Sequence, residues 1–208
     1  MEDVLAVYTR PYDPKYPQVC MDEKSLQLLE SPRAALLPQP KQVAKQDYEY
    51  QRQGTANVFM CFEPLAGRRY VKVTTQRTKQ DWAECIRDLA ETQYPKAAKI
   101  VLVMDNLNTH SLAALYEVFA PAYAWRLAQR FEVHYTPKHG SWLNMAEIEL
   151  SVLSRQCLQR RIADLVTLTQ EVQAWGKGRN AKQVVADWRF TTADARIKLK
   201  RLYPSFQE

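Results

Sequence analysis

Apolar and polar positions alternate along this chain in two rhythms. Asn57 to Phe62 (NVFMCF) is a nearly unbroken apolar run, and Tyr70 to Thr75 (YVKVTT) alternates with β-branched residues, so both read as strands. EPLAGRR between them supplies Pro and Gly for a turn, which predicts a hairpin. Val19 to Met21 reads as a short strand with Asp22 at or near its end. Lys99 to Met104 is an apolar strand running into Asp105, and Phe131 to Tyr135 (FEVHY) alternates as a further strand. Helical spacing takes over at residues 78–94, where Trp82, Cys85, Ile86 and Leu89 share a face, Thr78 can cap and Pro95 stops the helix. Residues 111–130 predict one or two helices broken near Pro121. Further helices are predicted at about Asn144 to Leu158, 167–180 and Thr192 to Leu202. Residues 1–18, with three prolines, read as a linker or arm, and 31–56 as a long loop with an extended stretch around Tyr48 to Gln51.

This order is strand, hairpin, helix, strand, helix, strand, then helices. It predicts an α/β fold built on a mixed five-stranded sheet with helices on both faces, as in the ribonuclease-H-like architecture. In such a sheet the first and fourth strands are neighbours. Asp22 and Asp105 would then lie side by side, and Glu147 would enter from the first turn of the helix after the last strand. Carboxylates that close repel one another, and a divalent cation relieves the conflict. Hard oxygen donors suit Mg²⁺ or Mn²⁺, and two such ions about 3.5–4 Å apart can clamp an in-line phosphoryl displacement.

Each acid also has a plainer reading. Asp22 could cap EKSLQLL, and Asp105 could close an Asx turn in DNLN. Glu147 could be a solvated helix residue. Leu143, Ala146, Leu150, Leu153 and Cys157 form one apolar helix face. Glu147 and Glu149 flank it at nearly equal angles, so periodicity leaves either as the third acid. Ile148 and Val152 lie on the far side, which suggests a helix buried twice, on the sheet and against another element or subunit.

Composition narrows the function. With 29 Lys and Arg against 23 Asp and Glu, the formal net charge is +6, which suits an anionic partner such as nucleic acid. The four cysteines, Cys20, Cys61, Cys85 and Cys157, form no CxxC pair and read as buried thiols. No apolar run approaches the roughly 20 residues that span a bilayer. The N-terminus has no signal-peptide pattern, so the expected location is the cytosol.

The segments CMDEKSLQLL, QGTANVFMCFEPLAG, VMDNLNTH, HYTPKHGSWLNMAEIELSVLSRQCLQRR and DWRFTTADARIKLKRLYP resemble bacterial insertion-sequence transposases of the Tc/mariner superfamily, in their DDE endonuclease domain. The likeness covers essentially the whole chain. It implies a catalytic and metal-binding triad of Asp22, Asp105 (in D-N-x-x-x-H) and Glu147 (in L-N-x-x-E, filled by Leu143, Asn144 and Glu147), holding two Mg²⁺ or Mn²⁺ ions. Met145 and Trp142 depart from the proline and aspartate that many relatives carry there. The implied activity is cleavage of double-stranded DNA at transposon ends, then attack of the freed 3′-OH on target DNA at a TA dinucleotide, with a homodimer as the possible assembly and a bacterial, nucleoid-associated location.

Lys138, His139 and Trp142 are candidates to hold phosphate and stack on an unpaired base. Trp142 could equally be a hydrophobic staple for its helix. Asn106 could steady the metal shell, and His110 could contact a phosphate or order Asp105. The expected division is 1–18 as linker or arm, 19–165 as the catalytic domain and 166–208 as a C-terminal helical extension. The resemblance further implies an N-terminal helix-turn-helix region in relatives, and this chain is expected to open in the linker after it. Competing readings are a non-transposing nuclease of the same fold and a catalytically inactive DNA-binding remnant.

Overall fold

A computed structural model describes residues 1–33, 48–107 and 109–203. Five strands carry the fold: β1 (Gln18–Glu30), β2 (Gln51–Glu63), β3 (Arg68–Thr74), β4 (Ile100–Met104) and β5 (Phe131–Tyr135). They lie in the order β3-β2-β1-β4-β5. β1 pairs antiparallel with β2 and β2 with β3, while β4 runs parallel to both β1 and β5. The five-stranded mixed sheet and its hairpin are therefore as the sequence predicts.

The helices divide between the two faces. α2 (Lys79–Asp88, continued by a π turn at Leu89–Gln93), α3 (Ala114–Val118) and α4 (Pro121–Ala128) lie on one side. There Trp82, Ile86, Leu89 and Leu115 pack against Met21, Phe59, Leu102 and Met104. α1 (Glu2–Tyr8), α5 (Met145–Gln156), α6 (Leu165–Ala181) and α7 (Thr192–Lys198) lie on the other, where Val4, Leu5, Leu150, Leu153 and Val172 meet Cys20, Val58, Met60 and Val103. Successive strand residues thus feed opposite cores, as a pleated strand buried on both faces requires. Thr78 caps α2 in a reciprocal capping box with Asp81, and Pro121 opens α4.

Three expectations need correction. Residues 1–18 are not merely an arm. Val4, Leu5 and Val7 of α1 are fully buried, and the Tyr8 hydroxyl donates to the Leu143 carbonyl at 2.6 Å. β1 does not stop at Met21 but continues to Glu30, paired with β2 as far as Gln51, so Asp22 stands mid-strand. The expected loop over 31–56 therefore ends at Gln51, where β2 begins; its residues 34–47 lie outside the described residues. Of the burials expected for the helix bearing Ile148, the one on the sheet is present through Leu150 and Leu153, and Ile148 itself is 49 % exposed within the single chain.

The C-terminal helices belong to the same body as the sheet. Gly67, at φ +63° in the β2–β3 turn, lies so close to Gln183 that a Cβ there would sit 2.7 Å from its backbone carbonyl carbon. Glycine serves both needs at this point, the left-handed conformation and the close approach. The Ala186 N–H donates to the Pro64 carbonyl at 3.0 Å, closing the same junction. Among the described residues no helix is long and apolar enough to cross a membrane.

Candidate active site

The β1–β4 ladder sets the positions of the two aspartates. Cys20 is the last β1 residue paired with β4, opposite Val103. Asp22 and Asp105 each lie two residues further on, Asp22 still within β1 and Asp105 just beyond the end of β4. Here β4 ends and β1 continues with no described strand beside it on that side, which leaves the sheet edge open. Such a crevice beyond the carboxyl end of a strand is where open α/β sheets place their ligands.

α5 brings Glu147. Asn144 caps the helix, accepting from the Ala146 N–H at 3.1 Å, while its side-chain amide donates to the Met21 carbonyl at 2.8 Å. One buried asparagine thus starts the helix and fixes that start against the residue before Asp22. Asp22 and Glu147 line one open groove of about 420 Å³. Asp105 lines a neighbouring groove of about 690 Å³ with Asn106, Tyr135, Lys138 and His139.

The electrostatics join the two grooves. Burial is the main cause that pushes the Asp22 carboxyl up to about 7, and the negative charges of Glu23, Glu147 and Asp105 push the same way, against one N–H bond from Glu23. Asp22 therefore sits within electrostatic reach of both other acids. Asp105 behaves oppositely. Burial works against its charge, but the bond and charge of His110, with help from the Leu107 N–H and Arg77, hold it below the usual carboxylate range.

His110 is the residue on which this asymmetry turns. It is 1 % exposed, stacked on Trp82, and its Nδ1 bonds the Asp105 carboxylate. Its Nε2 lies 3.0 Å from Glu23 Oε2. Burial pulls its pKa down, but the two carboxylates outweigh burial and raise it to about 9. Of the two roles open to His110 in the sequence, contacting phosphate or ordering Asp105, its burial and its bond to the Asp105 carboxylate support the second. A raised histidine pKa contributes stability that is complete below its unfolded value near 6.5 and is lost as pH rises through about 9. The metal-free protein is accordingly expected to lose about 2–3 kcal/mol between pH 6.5 and 9. Urea midpoints across that range check this, and His110→Asn should flatten it.

Glu149 and Glu147, which helix periodicity left equivalent, differ in their partners. Glu149 is 4 % exposed and clasped between two arginines. Arg69 Nε and Nη2 donate to its two oxygens at 2.8 and 2.9 Å, and Arg179 Nε and Nη2 at 3.1 and 2.8 Å. Arg69 also donates to the Gly67 and Val184 carbonyls, both at 2.7 Å, and lies over the Phe62 ring. Burial opposes the Glu149 charge, but the two guanidinium groups hold its pKa below the ordinary range. Glu149 is committed to tying α5 to β3 and α6. Glu147, by contrast, is half-buried and makes no ion pair or side-chain hydrogen bond with any described residue.

Asn106, Lys138 and His139 are exposed on the Asp105 groove. Trp142 is 41 % exposed, but its ring is already stacked on Trp188, centroids 6.1 Å apart, with Phe190 edge-on. It holds the C-terminal segment against the loop before α5, so a stacking face for a nucleotide base is not its main commitment. Sequence reasoning missed Glu23, His110's second carboxylate, which faces the opposite side of β1 from Asp22. The adjacent acids in CMDEKS were the available signal.

The donor set fits hard divalent cations. Asp22 Oδ1 takes the Glu23 N–H at 2.8 Å and Asp105 Oδ1 is held by His110. The second oxygen of Asp22 and the whole Glu147 carboxylate make no side-chain hydrogen bond or ion pair with a described residue, while the Leu107 N–H also supports Asp105. Among the described residues no three His, Cys, Asp or Glu side chains close into a ready cage. Asp22 stands between two separated partners, a layout that a cation would draw together.

A family model described as a DDE superfamily endonuclease matches residues 17–169. Among solved structures, the chain is similar to the Mos1 mariner paired end complex with Mn, at 14 % identity and a TM-score of 0.58, covering 87 % of this chain and 55 % of that one. It is also similar to the Mos1 strand transfer complex, at 14 % identity and a TM-score of 0.56, covering 89 % and 58 %. The catalytic domain of Mos1 mariner transposase aligns at 12 % identity and a TM-score of 0.54, covering 87 % and 86 %. At these identities the likeness is one of fold. The chain spans little more than half the length of the chains in the two complexes. A search of curated proteins gave no match.

Proposed function

We propose, on the premise that the chain belongs to the family of DDE superfamily endonucleases, that it is the catalytic domain of a DNA transposase of the Tc/mariner kind. The observation that carries this reading is the placement of Asp22. It is half-buried at the open sheet edge, within electrostatic reach of Glu147 and Asp105, with its carboxyl pushed up to about 7 by burial and by like charge. A fold tolerates such a frustrated acid where a cation relieves it.

Asp22 and Asp105 would share the cations, and Glu147 would complete the second position. When bound, two Mg²⁺ or Mn²⁺ ions neutralise the acids and polarise the scissile phosphodiester and the attacking oxygen. The rest falls to this chain's own side chains. His110 holds one Asp105 oxygen and so orients that carboxylate. Asn144 fixes the first turn of α5, and with it Glu147, against β1. Lys138 and His139 sit where the DNA backbone beside the cut would pass. Water attacks the phosphodiester at the transposon end and frees a 3′-OH. That 3′-OH attacks target DNA at a TA step, and no protein–DNA covalent bond forms. Joining two ends calls for two copies of the chain, acting on nucleoid DNA in the bacterial cytosol.

Incubating the protein with Mn²⁺, a plasmid and an oligonucleotide duplex carrying a pre-cleaved 3′-OH end tests the reading. Covalent joining of oligonucleotide to plasmid at TA steps is expected. Nicking without joining would favour a non-transposing nuclease. DNA binding with neither nicking nor calorimetric uptake of Mn²⁺ would favour an inactive remnant.

A further inference from the structure

We propose that Lys24 and Arg155 form a phosphate track that leads one DNA strand away from the acids along the exposed face of α5. This rests on the reading above only in taking DNA as the substrate. Both side chains line the same groove as Asp22 and Glu147. Neither makes an ion pair or a side-chain hydrogen bond with a described residue. Several other basic residues of this face are committed to carboxylates: Arg69 and Arg179 hold Glu149, Arg160 holds Glu171 and Arg196 holds Glu2. Two uncommitted cations beside two uncommitted carboxylates have no structural partner to give up when a phosphate arrives.

Their spacing suits a strand of nucleic acid. Lys24 is two residues beyond Asp22 on the same face of β1, about 7 Å along the strand. Arg155 is eight residues beyond Glu147, about 12 Å along the helix, with Ser151 and Ser154 between them on the groove. At 3.4 Å of rise per nucleotide, Lys24 meets the backbone about two nucleotides from the cut and Arg155 about three to four. Arg155 also borders a second opening of about 510 Å³ with Gln156, Arg160 and Trp175, which continues the path past the end of α5. A cation in the last turn of a helix suits the helix dipole by itself. That alone would not call for an unpaired lysine from β1 in the same groove.

The test measures binding rather than turnover. The full chain is titrated with a fluorescein-labelled duplex in EDTA, from 50 to 200 mM salt. Lys24→Ala and Arg155→Ala should each lower the slope of log Kd against log salt by about 0.9, so that each loses about 3- to 4-fold less affinity over that range than the wild type. Lys24→Arg and Arg155→Lys should restore the slope. Lys96→Ala, an exposed site before β4 at the far end from Asp105, should leave it unchanged. Unchanged slopes in both alanine variants, with unchanged melting, would overturn the track, as would salt-independent binding by the wild type. If the slopes fall but the wild type neither nicks nor joins DNA with Mn²⁺, the track stands and the transposase reading fails. If the wild type joins DNA and the slopes do not move, the track alone fails.

Discussion

Glu147→Ala is expected to lower Mn²⁺-dependent DNA cleavage by at least about 10³-fold, while the protein keeps its fold. Loss of an outer-shell partner of a metal site commonly costs 10–100-fold, and loss of a direct ligand costs more. The carboxylate of Glu147 makes no contact that holds described residues together, so its removal should leave the melting temperature within about 1–2 °C of wild type. Asp22→Asn and Asp105→Asn should be comparably inactive. They differ in stability. Asp22 carries a carboxyl whose folded pKa of about 7 lies above its unfolded value, so its charge opposes folding increasingly from about pH 4 to pH 7. Asp22→Asn should therefore raise the stability of the metal-free protein at pH 7. Asp105→Asn should lower it, because the amide gives up the charged bond to His110. Nicking assays run beside thermal melts check both halves. A destabilised Asp22→Asn would mean that the acid is structural.

Glu149→Ala is expected to give the opposite result two residues away. Removing it leaves Arg69, fully buried, and Arg179 without their shared carboxylate. Breaking one side of a buried ion cluster costs about 3–5 kcal/mol, because the charge left behind is uncompensated. For a chain of this size that is a fall in Tm of roughly 6–20 °C. Activity should be lost by unfolding and should return on cooling, which no variant of Glu147 should do. The pH dependence follows from the depressed Glu149 pKa. Its contribution is complete above the unfolded value near 4.5 and is lost as pH falls through the folded value. Wild-type stability should drop on that acid limb, and Glu149→Gln should blunt the drop. Chemical denaturation at pH 7 and pH 4 measures it.

The strands were legible because each wrote its burial into its residues. NVFMCF and IVLVM are apolar on both faces and lie at the centre of the sheet, while FEVHY alternates at its edge. α1 was not legible. Its four buried residues, Val4, Leu5, Val7 and Tyr8, sit in a seven-residue helix followed by prolines, too short for a period to emerge. The outer half of β1 escaped notice because KSLQLLE buries only Leu28, with Leu26 partly buried beside it, and is otherwise held by backbone pairing to β2. The three candidate acids stood out in the sequence only at expected element ends, and Asp22 lies within β1 instead. What separates Glu147 from Glu149 is Arg69, 80 residues away, and Arg179, 30 residues away, and helix periodicity carries no record of such distant partners. Asn144 shows the converse. It stood in a recognisable pattern, yet its work of joining α5 to the Met21 carbonyl appears only in three dimensions.

The account depends on Asp22, Asp105 and Glu147 acting on one metal centre, and a crystal soaked in Mn²⁺ with anomalous data tests that most directly. The expected result is manganese bound within about 2.0–2.3 Å of carboxylate oxygens from Asp22 and Asp105, with Glu147 facing the same centre. Manganese bound elsewhere, or none beside Asp22 at millimolar concentration in crystals that keep this fold, would contradict it.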